Sequence, residues 1–417
     1  MYRILSVLTL FVGTLSAWAE DWPQFLGPRR DGSSRETVGA WQNTPKVVWR
    51  VPVGEGHSSP AVRGDFVFLF DKVPGQDSER VTVYRLADGK VVASAERPRD
   101  TFQSPFGVGP RATPTVVNDK AYTLGVTGRF IGWQFQQAMG RDMGSLTSLF
   151  EHQLLQQFEA KNLTFGVSAS PLVEGHLIVV PVGGKGAGVV AFDRNSGAVV
   201  WKCLDDAASY SSPIALGEDR LRQIVVLTQK GLVSLSPRDG SVYWQYPFED
   251  KLNESSTTPI QVGDLLIASS VTLGSVALKL LAKDGRPAVE EVWRQPELTC
   301  YFSTPVAVGT QSLYMVTGVI GLQPTITLRC VDVATGKTRW SKTRVGKYHA
   351  ALLRTANDLL LMLDDTGHLT LIQPDNERYK ELARSKVCSE TWAHPALSNG
   401  KLVIRDNNEL ICLELRP

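Results

Sequence analysis

The residues of this 417-residue chain best suited to chemistry lie in eight short stretches, each just upstream of a Ser/Thr-Pro pair or its degenerate form. They are Glu55-Gly56-His57-Ser58, Arg111-Ala112, Gly166-Val167-Ser168, Ser209-Tyr210-Ser211, Ser255-Ser256-Thr257, Tyr301-Phe302-Ser303, Lys347-Tyr348-His349 and Thr391-Trp392-Ala393-His394. Three of the chain's six histidines fall in them. His57, Arg111, Tyr210, Tyr301, Tyr348, His349, Trp392 and His394 form the candidate binding set. Mixed aromatic and cationic groups suit a small anionic or aromatic ligand, or a peptide loop. The competing reading is structural: the small Ser/Thr residues satisfy turn backbone and the larger ones plug a channel. No nucleophile with a partner base, no acid/base pair and no zinc spacing stands out, so no catalytic or metal residue is assigned. Glu55, Glu254 and Glu390 are carboxylates without a calcium-loop spacing.

The elements that must position these residues follow from the repeat itself. Ser59-Pro60, Thr113-Pro114, Ser170-Pro171, Ser212-Pro213, Thr258-Pro259, Thr304-Pro305 and His394-Pro395 each open an apolar run, and His349-Ala350 is a copy without proline. Successive prolines differ by 171−114=57, 213−171=42, 259−213=46 and 305−259=46, and 395−305=90 spans two steps around the degenerate copy. Periods of this size indicate propeller blades or a solenoid. A second landmark precedes each copy: strands centred on Trp49, Trp201, Trp244, Trp293 and Trp340, with weaker counterparts at Val92-Ala93-Ser94, near Phe158 and at Leu382-Ala383-Arg384. With the intervening β-runs and turn dipeptides, each period carries four short strands, the content of one blade.

The ends favour a closed ring. The repeat opens on the Trp49 strand and finishes after Pro395 with three strands, near 396–397, 401–404 and 409–413. The N-terminal strand therefore completes the last blade and removes an exposed sheet edge. The expected fold is all-β: an eight-bladed propeller of four-stranded antiparallel blades over residues 45–417, with a leader at 20–44 and an irregular insertion near 129–165. In that insertion Leu149, Phe150, Gln153, Leu154 and Gln157 follow helical spacing, which predicts a short amphipathic helix that either projects toward a partner or packs on its own blade.

Composition agrees with many strands and turns, with 36 Gly, 23 Pro and 43% hydrophobic residues. A net charge of +2 with scattered basic residues offers no case for nucleic acid. Arg3, the apolar run Ile4 to Leu15 and Ala17-Trp18-Ala19 read as a secretory signal at 1–19, too short to span a bilayer. No Cys stands at the cleavage point, so the expected product is exported and periplasmic, is not a lipoprotein and has no transmembrane segment. Cys203, Cys300, Cys330, Cys388 and Cys412 are expected to be free thiols, mostly buried, with a Cys300–Cys388 bridge as the alternative.

Two stretches carry a family resemblance. Residues 191–201, Ala-Phe-Asp-Arg-Asn-Ser-Gly-Ala-Val-Val-Trp, and 331–340, Val-Asp-Val-Ala-Thr-Gly-Lys-Thr-Arg-Trp, resemble the Ala-x-Asp-x-x-Thr-Gly-x-x-x-Trp docking repeat of quinoprotein propellers. The start of the leader, 22–32, is similar to that of secreted bacterial PQQ-binding-like β-propeller repeat proteins, a superfamily that includes quinoprotein alcohol dehydrogenases and the BamB-like propellers of the outer-membrane assembly machinery. The resemblance implies that Trp49, Trp201, Trp244, Trp293 and Trp340 dock neighbouring blades and have no catalytic part. It also implies two functions: a non-enzymatic, monomeric scaffold for cell-envelope protein partners, BamB-like, or an oxidoreductase using pyrroloquinoline quinone (PQQ) with calcium. The adjacent-cysteine pair of those dehydrogenases and the cytochrome motif of some of them are missing here. The expectation is therefore the scaffold, with no cofactor.

Overall fold

In the computed structural model, residues 20–137, 143–318 and 324–415 are described; the signal segment expected at 1–19 and part of the insertion, 138–142, lie outside them. Eight four-stranded sheets form the ring. Blade 1 runs through Ala61–Arg63, Phe66–Lys72, Ser78–Arg85 and Val91–Pro98, and the next six repeat that antiparallel meander. Blade 8 joins Ala396–Ser398, Lys401–Arg405 and Glu409–Glu414 to Val47–Pro52 from the other end of the chain. Trp49 faces Cys412 in that pairing, so the ring closes as the repeat arithmetic requires.

Each blade has an innermost strand that follows the Ser/Thr-Pro motif, and the motif residue has a role the sequence did not show. In five blades its side-chain oxygen accepts the main-chain N–H of the equivalent residue one blade earlier, while Thr258 Oγ1 of blade 5 has no partner among the described residues. His394 N donates to Ser59 Oγ (2.9 Å), Ser59 N to Thr113 Oγ1 (3.1 Å), Thr113 N to Ser170 Oγ (2.9 Å) and Ser170 N to Ser212 Oγ (2.9 Å). Thr258 N donates likewise to Thr304 Oγ1 (3.1 Å). The result is a belt of hydrogen bonds around the axis that satisfies buried N–H groups between sheets sharing no ladder.

The outer strands are governed by a bulge. In all eight blades the pairing of the third and fourth strands skips one residue: Val48, Val92, Leu149, Val200, Tyr243, Val292, Arg339 or Leu382. A bulge sharpens the local twist, and the next residue turns toward the neighbouring blade. Trp49, Trp201, Trp293 and Trp340 each donate Nε1–H to a carbonyl of the following blade, at Leu86, Pro237, Val333 and Asp375, over 2.7–3.1 Å. The rings of Trp49, Trp201 and Trp293 lie on the turn glycines of those blades, Gly89, Gly240 and Gly336, while Trp340 meets Tyr379 with ring centres 6.1 Å apart. A Cβ on Gly336, whose φ is +69°, would stand 2.7 Å from the Trp293 ring, so only glycine serves both the turn and the contact. Trp244 packs against blade 5 residues such as Leu266 and Val276, but its Nε1–H goes to Gln223 of its own blade (2.9 Å). Blade 5 lengthens its outer hairpin to Gly274–Lys283 and Arg286–Gln295 and carries the turn out of reach.

Two expectations are corrected. The helix predicted over 149–157 is largely a strand: Ser145–Gln153 pairs with Arg129–Gln136, and only Leu154–Gln157 is helical. The outer-strand landmark of this blade is Phe150, on the turn glycine Gly197 of blade 3, rather than a residue near Phe158. All five cysteines are free, so the alternative Cys300–Cys388 bridge is absent. Four are buried, and burial pushes the Cys300, Cys388 and Cys412 thiols up to about 12.

Candidate functional site

The leader decides the shape of the axial channel. It crosses the end where the innermost strands finish. There Trp22 exchanges two main-chain bonds with Val62 (3.0 and 2.7 Å), Pro23 O takes Val116 N–H (2.8 Å), and Gly32 and Ser34 bracket Arg354 (2.8 Å each). Glu36 accepts from Asn399 N and Gly400 N at 2.9 and 3.0 Å. From this lid Arg30 reaches up the axis. Its guanidinium, only 3% exposed, donates to Pro213 O (2.9 Å), Ser170 O (3.3 Å), Pro171 O and Gln24 Oε1 (3.0 Å). Burial lowers its pKa to about 9, yet it meets carbonyl and hydroxyl oxygens rather than a carboxylate. Phe25, beside it, stands edge-on to the His394 ring at 5.0 Å. The channel is thus stopped at one end and open at the other.

The open end is a cup of about 140 Å³. Of the eight candidate residues, seven line it: His57, Arg111, Tyr210, Tyr301, His349, Trp392 and His394. Tyr348 sits at the rim, 5.7 Å from the Trp392 ring and 6.5 Å from Phe106. Residues 20–36 supply the floor, and the connections before Arg111 and Gly166 supply Phe106 and Phe165, neither of which belongs to the repeat. Phe106 spans the mouth, with ring centres 5.4 Å from Phe165 and 5.3 Å from Trp392. Phe302 completes the wall at 4.8 Å from Trp392.

Most polar groups of the cup are already engaged. His57 Nε2 lies 2.7 Å from Phe106 O; a carbonyl only accepts, so that nitrogen carries the proton. Burial and the Arg111 charge push the His57 pKa down to about 4, which keeps the ring neutral. Arg111 holds the 104–109 connection through Gly107 O (2.7 Å), Gly109 O and Ser104 Oγ (3.3 Å). Tyr301 gives its hydroxyl to Glu254, and burial together with that carboxylate raises its pKa. Tyr210 Oη accepts Phe165 N–H (3.1 Å).

His349 and His394 differ from the rest. They occupy the belt position of blades 7 and 8, where other blades have Ser or Thr. They are 2% and 5% exposed, with ring centres 5.3 Å apart, and Nε2 of each has no hydrogen-bond partner. Burial pushes His394 down to about 4 and His349 well below its usual value.

The other acidic candidates do not converge. Glu55 accepts Val108 N–H (2.7 Å), Glu254 is taken by Tyr301, and Glu390 pairs with Lys347 on the surface (3.5 Å). Among the described residues no three His, Cys, Asp or Glu side chains gather for a metal. Nor, among them, is any helix long and apolar enough to cross a membrane.

Residues 157–342 match the protein family described as outer membrane protein assembly factor BamB. Both docking-repeat stretches, 191–201 and 331–340, fall inside that match, so the resemblance to PQQ-like propellers holds. No curated protein matches the sequence significantly. Among solved structures, BamB from Moraxella catarrhalis is similar at 13% identity, covering 89% of this chain and 98% of its own, with a TM-score of 0.59. Quinohemoprotein alcohol dehydrogenase ADHIIG from Pseudomonas putida HK5 reaches a TM-score of 0.65 at 11% identity, covering 95% of this chain and 80% of its own. The quinohemoprotein alcohol dehydrogenase of Comamonas testosteroni gives 0.65 at 12%, with coverages of 95% and 81%. At such identities these likenesses establish the fold.

Proposed function

We propose that this chain is a non-enzymatic binding module that works outside the cytoplasm as a monomer and holds an aromatic or apolar side chain of a partner in its axial cup. The observation that carries the reading is how the lining is spent. His57, Arg111, Tyr301, Glu254 and Tyr210 are occupied in holding one another or the loops, which leaves ring faces at the mouth. Rigid aromatic anchors around a small desolvated pocket are the usual makings of a binding hot spot. The signal-like segment 1–19 and the similarity to BamB support the extracytoplasmic setting.

A calcium-bound quinone fits these residues poorly. Glu55, Glu254 and Glu390 are each committed elsewhere and far from forming a common set, whereas calcium takes six to eight oxygen ligands. No step is therefore assigned to such a cofactor. The test places a photo-crosslinking amino acid at Tyr348 in cells and compares the products with those of the same chain carrying Phe106→Ala. A protein adduct that depends on Phe106 is expected. Dye reduction by purified chain given pyrroloquinoline quinone and Ca²⁺ would instead favour the dehydrogenase reading and sink this one.

A further inference from the structure

The two imidazoles on the cup floor mark where the repeat departs from its own rule. At a belt position the fold asks only for a small acceptor of a neighbouring N–H, which Ser59, Thr113, Ser170, Ser212 and Thr304 provide. His349 and His394 place a ring there instead, and each ends in a buried nitrogen without a partner. Leaving a buried polar atom unpaired costs on the order of 1–3 kcal/mol. Two such residues, with ring centres 5.3 Å apart on the lining of one cavity, make a place for a hydrogen-bonding group.

The surroundings give the character of that group. Ser303 Oγ accepts Ala350 N–H (3.2 Å) and lies 3.1 Å from His349 Nδ1. In the tautomer in which the Ser303 hydroxyl donates to Nδ1, the imidazole proton sits on Nε2 and His349 offers a donor to the cavity. The charge around the floor is positive. Arg30, in the leader, is bonded to Ser170 O of the lining and, among the described residues, to no carboxylate, and Arg111 stands on the wall. Glu254, the carboxylate of the lining, is capped by Tyr301. Above the floor the walls are Phe106, Phe165, Phe302 and Trp392. A volume of about 140 Å³ is close to that of an engineered cavity that holds one benzene ring.

We propose that the cup takes a compact aromatic carboxylate, its ring among the mouth aromatics and its carboxylate against Nε2 of His349 and His394. This rests on the reading that the cup captures an aromatic group, and adds to it the acid that group must carry. The same chemistry is offered by a free small acid or by a polypeptide whose last residue is aromatic.

The purified chain is titrated calorimetrically with phenylacetate, with a pentapeptide ending in phenylalanine as the free acid, and with the same peptide as the C-terminal amide. The acid peptide is expected to bind at least about tenfold more tightly than the amide, the ratio set by hydrogen bonds to a charged group. Binding of phenylacetate as tight as that of the acid peptide assigns the site to small acids; a clear preference for the peptide assigns it to chain termini. His349→Ser with His394→Thr installs residue types the other blades already use at this position, so folding is kept, as checked by thermal unfolding. In that variant the acid should lose its tenfold advantage while the amide binds as before. Equal binding of acid and amide to the unaltered chain, or undiminished preference in the variant, overturns the carboxylate inference and leaves aromatic capture standing. No binding of any of the three overturns both.

Discussion

Ser170→Ala tests whether the belt, and not only the apolar packing between blades, holds the ring. Ser170 is 2% exposed, and its Oγ accepts the buried N–H of Thr113 at 2.9 Å. Deleting that oxygen leaves the buried Thr113 N–H without its partner. The expected cost is the desolvation penalty of one amide, about 1–3 kcal/mol. For roughly 390 ordered residues at about 2.1 cal/mol/K each, the unfolding entropy is ~0.8 kcal/mol/K, so a loss of 2 kcal/mol lowers Tm by only ~2.5 °C. Denaturant titration and amide exchange are therefore the better readouts. The control is Ser168→Ala, which removes a hydroxyl that merely donates to Gly166 O on a part-exposed turn. Exchange at the Thr113 amide should accelerate in Ser170→Ala and stay unchanged in Ser168→Ala. If the two variants unfold at the same denaturant concentration and protect Thr113 equally, the belt contributes nothing measurable and the motif needs another explanation.

Three further outcomes follow from other parts of the ring. Phe150→Ala should destabilise by about 2–4 kcal/mol in denaturant titrations, because this residue docks blade 2 on Gly197, while Phe150→Trp should cost less since tryptophan docks on a turn glycine in three other blades. For His394 the folded pKa of about 4 lies below the unfolded value of 6.5, so the unfolded chain binds the proton first. Stability should be complete above pH 6.5 and fall by up to ~3 kcal/mol toward pH 4, and His394→Thr should flatten that slope. Arg30→Met leaves the Pro171, Pro213 and Ser170 carbonyls without this donor. It should destabilise by about 2–4 kcal/mol and expose residues 20–36 to limited proteolysis before the ring itself is cut.

What could be read from the sequence depended on whether a residue shared the period. Every copy of the Ser/Thr-Pro motif begins an innermost strand, so whatever precedes it must lie on one face of the channel; His57, Tyr301 and Trp392 could be grouped on that ground alone. Phe106 and Phe165 sit in connections of irregular length, and nothing in their neighbourhood repeats. Phe25 and Arg30 lie in a leader with no β-alternation, and only the folded chain carries them to the axis. The helical spacing over 149–157 has a physical cause. The bulge skips Leu149, leaving it 37% exposed beside the inward Phe150, and that interruption of alternation resembles helical spacing.

The belt and the cup are one feature with two outcomes. Ser59, Ser170 and Ser212 line the cup too, but their side-chain oxygens are used on the neighbouring blade. A histidine at the same position reaches past the backbone and delivers an unpaired nitrogen to the cavity. The two histidines stand on adjacent blades, 7 and 8, and the belt bond is missing from Thr304 to His394, as it is between Ser212 and Thr258. Asp365 Oδ2 takes the His349 N–H instead, at 3.3 Å, and the Ser303 hydroxyl takes that of Ala350. Fold support was thus moved to substitute residues on blades 6 and 7. Local rules tend to be broken, with compensation nearby, where a site needs the space. The same logic accounts for the leader. A channel open at both ends would bathe both imidazoles in water and satisfy them without a ligand, whereas Phe25 and Arg30 seal the floor and leave the mouth as the route to those two nitrogens.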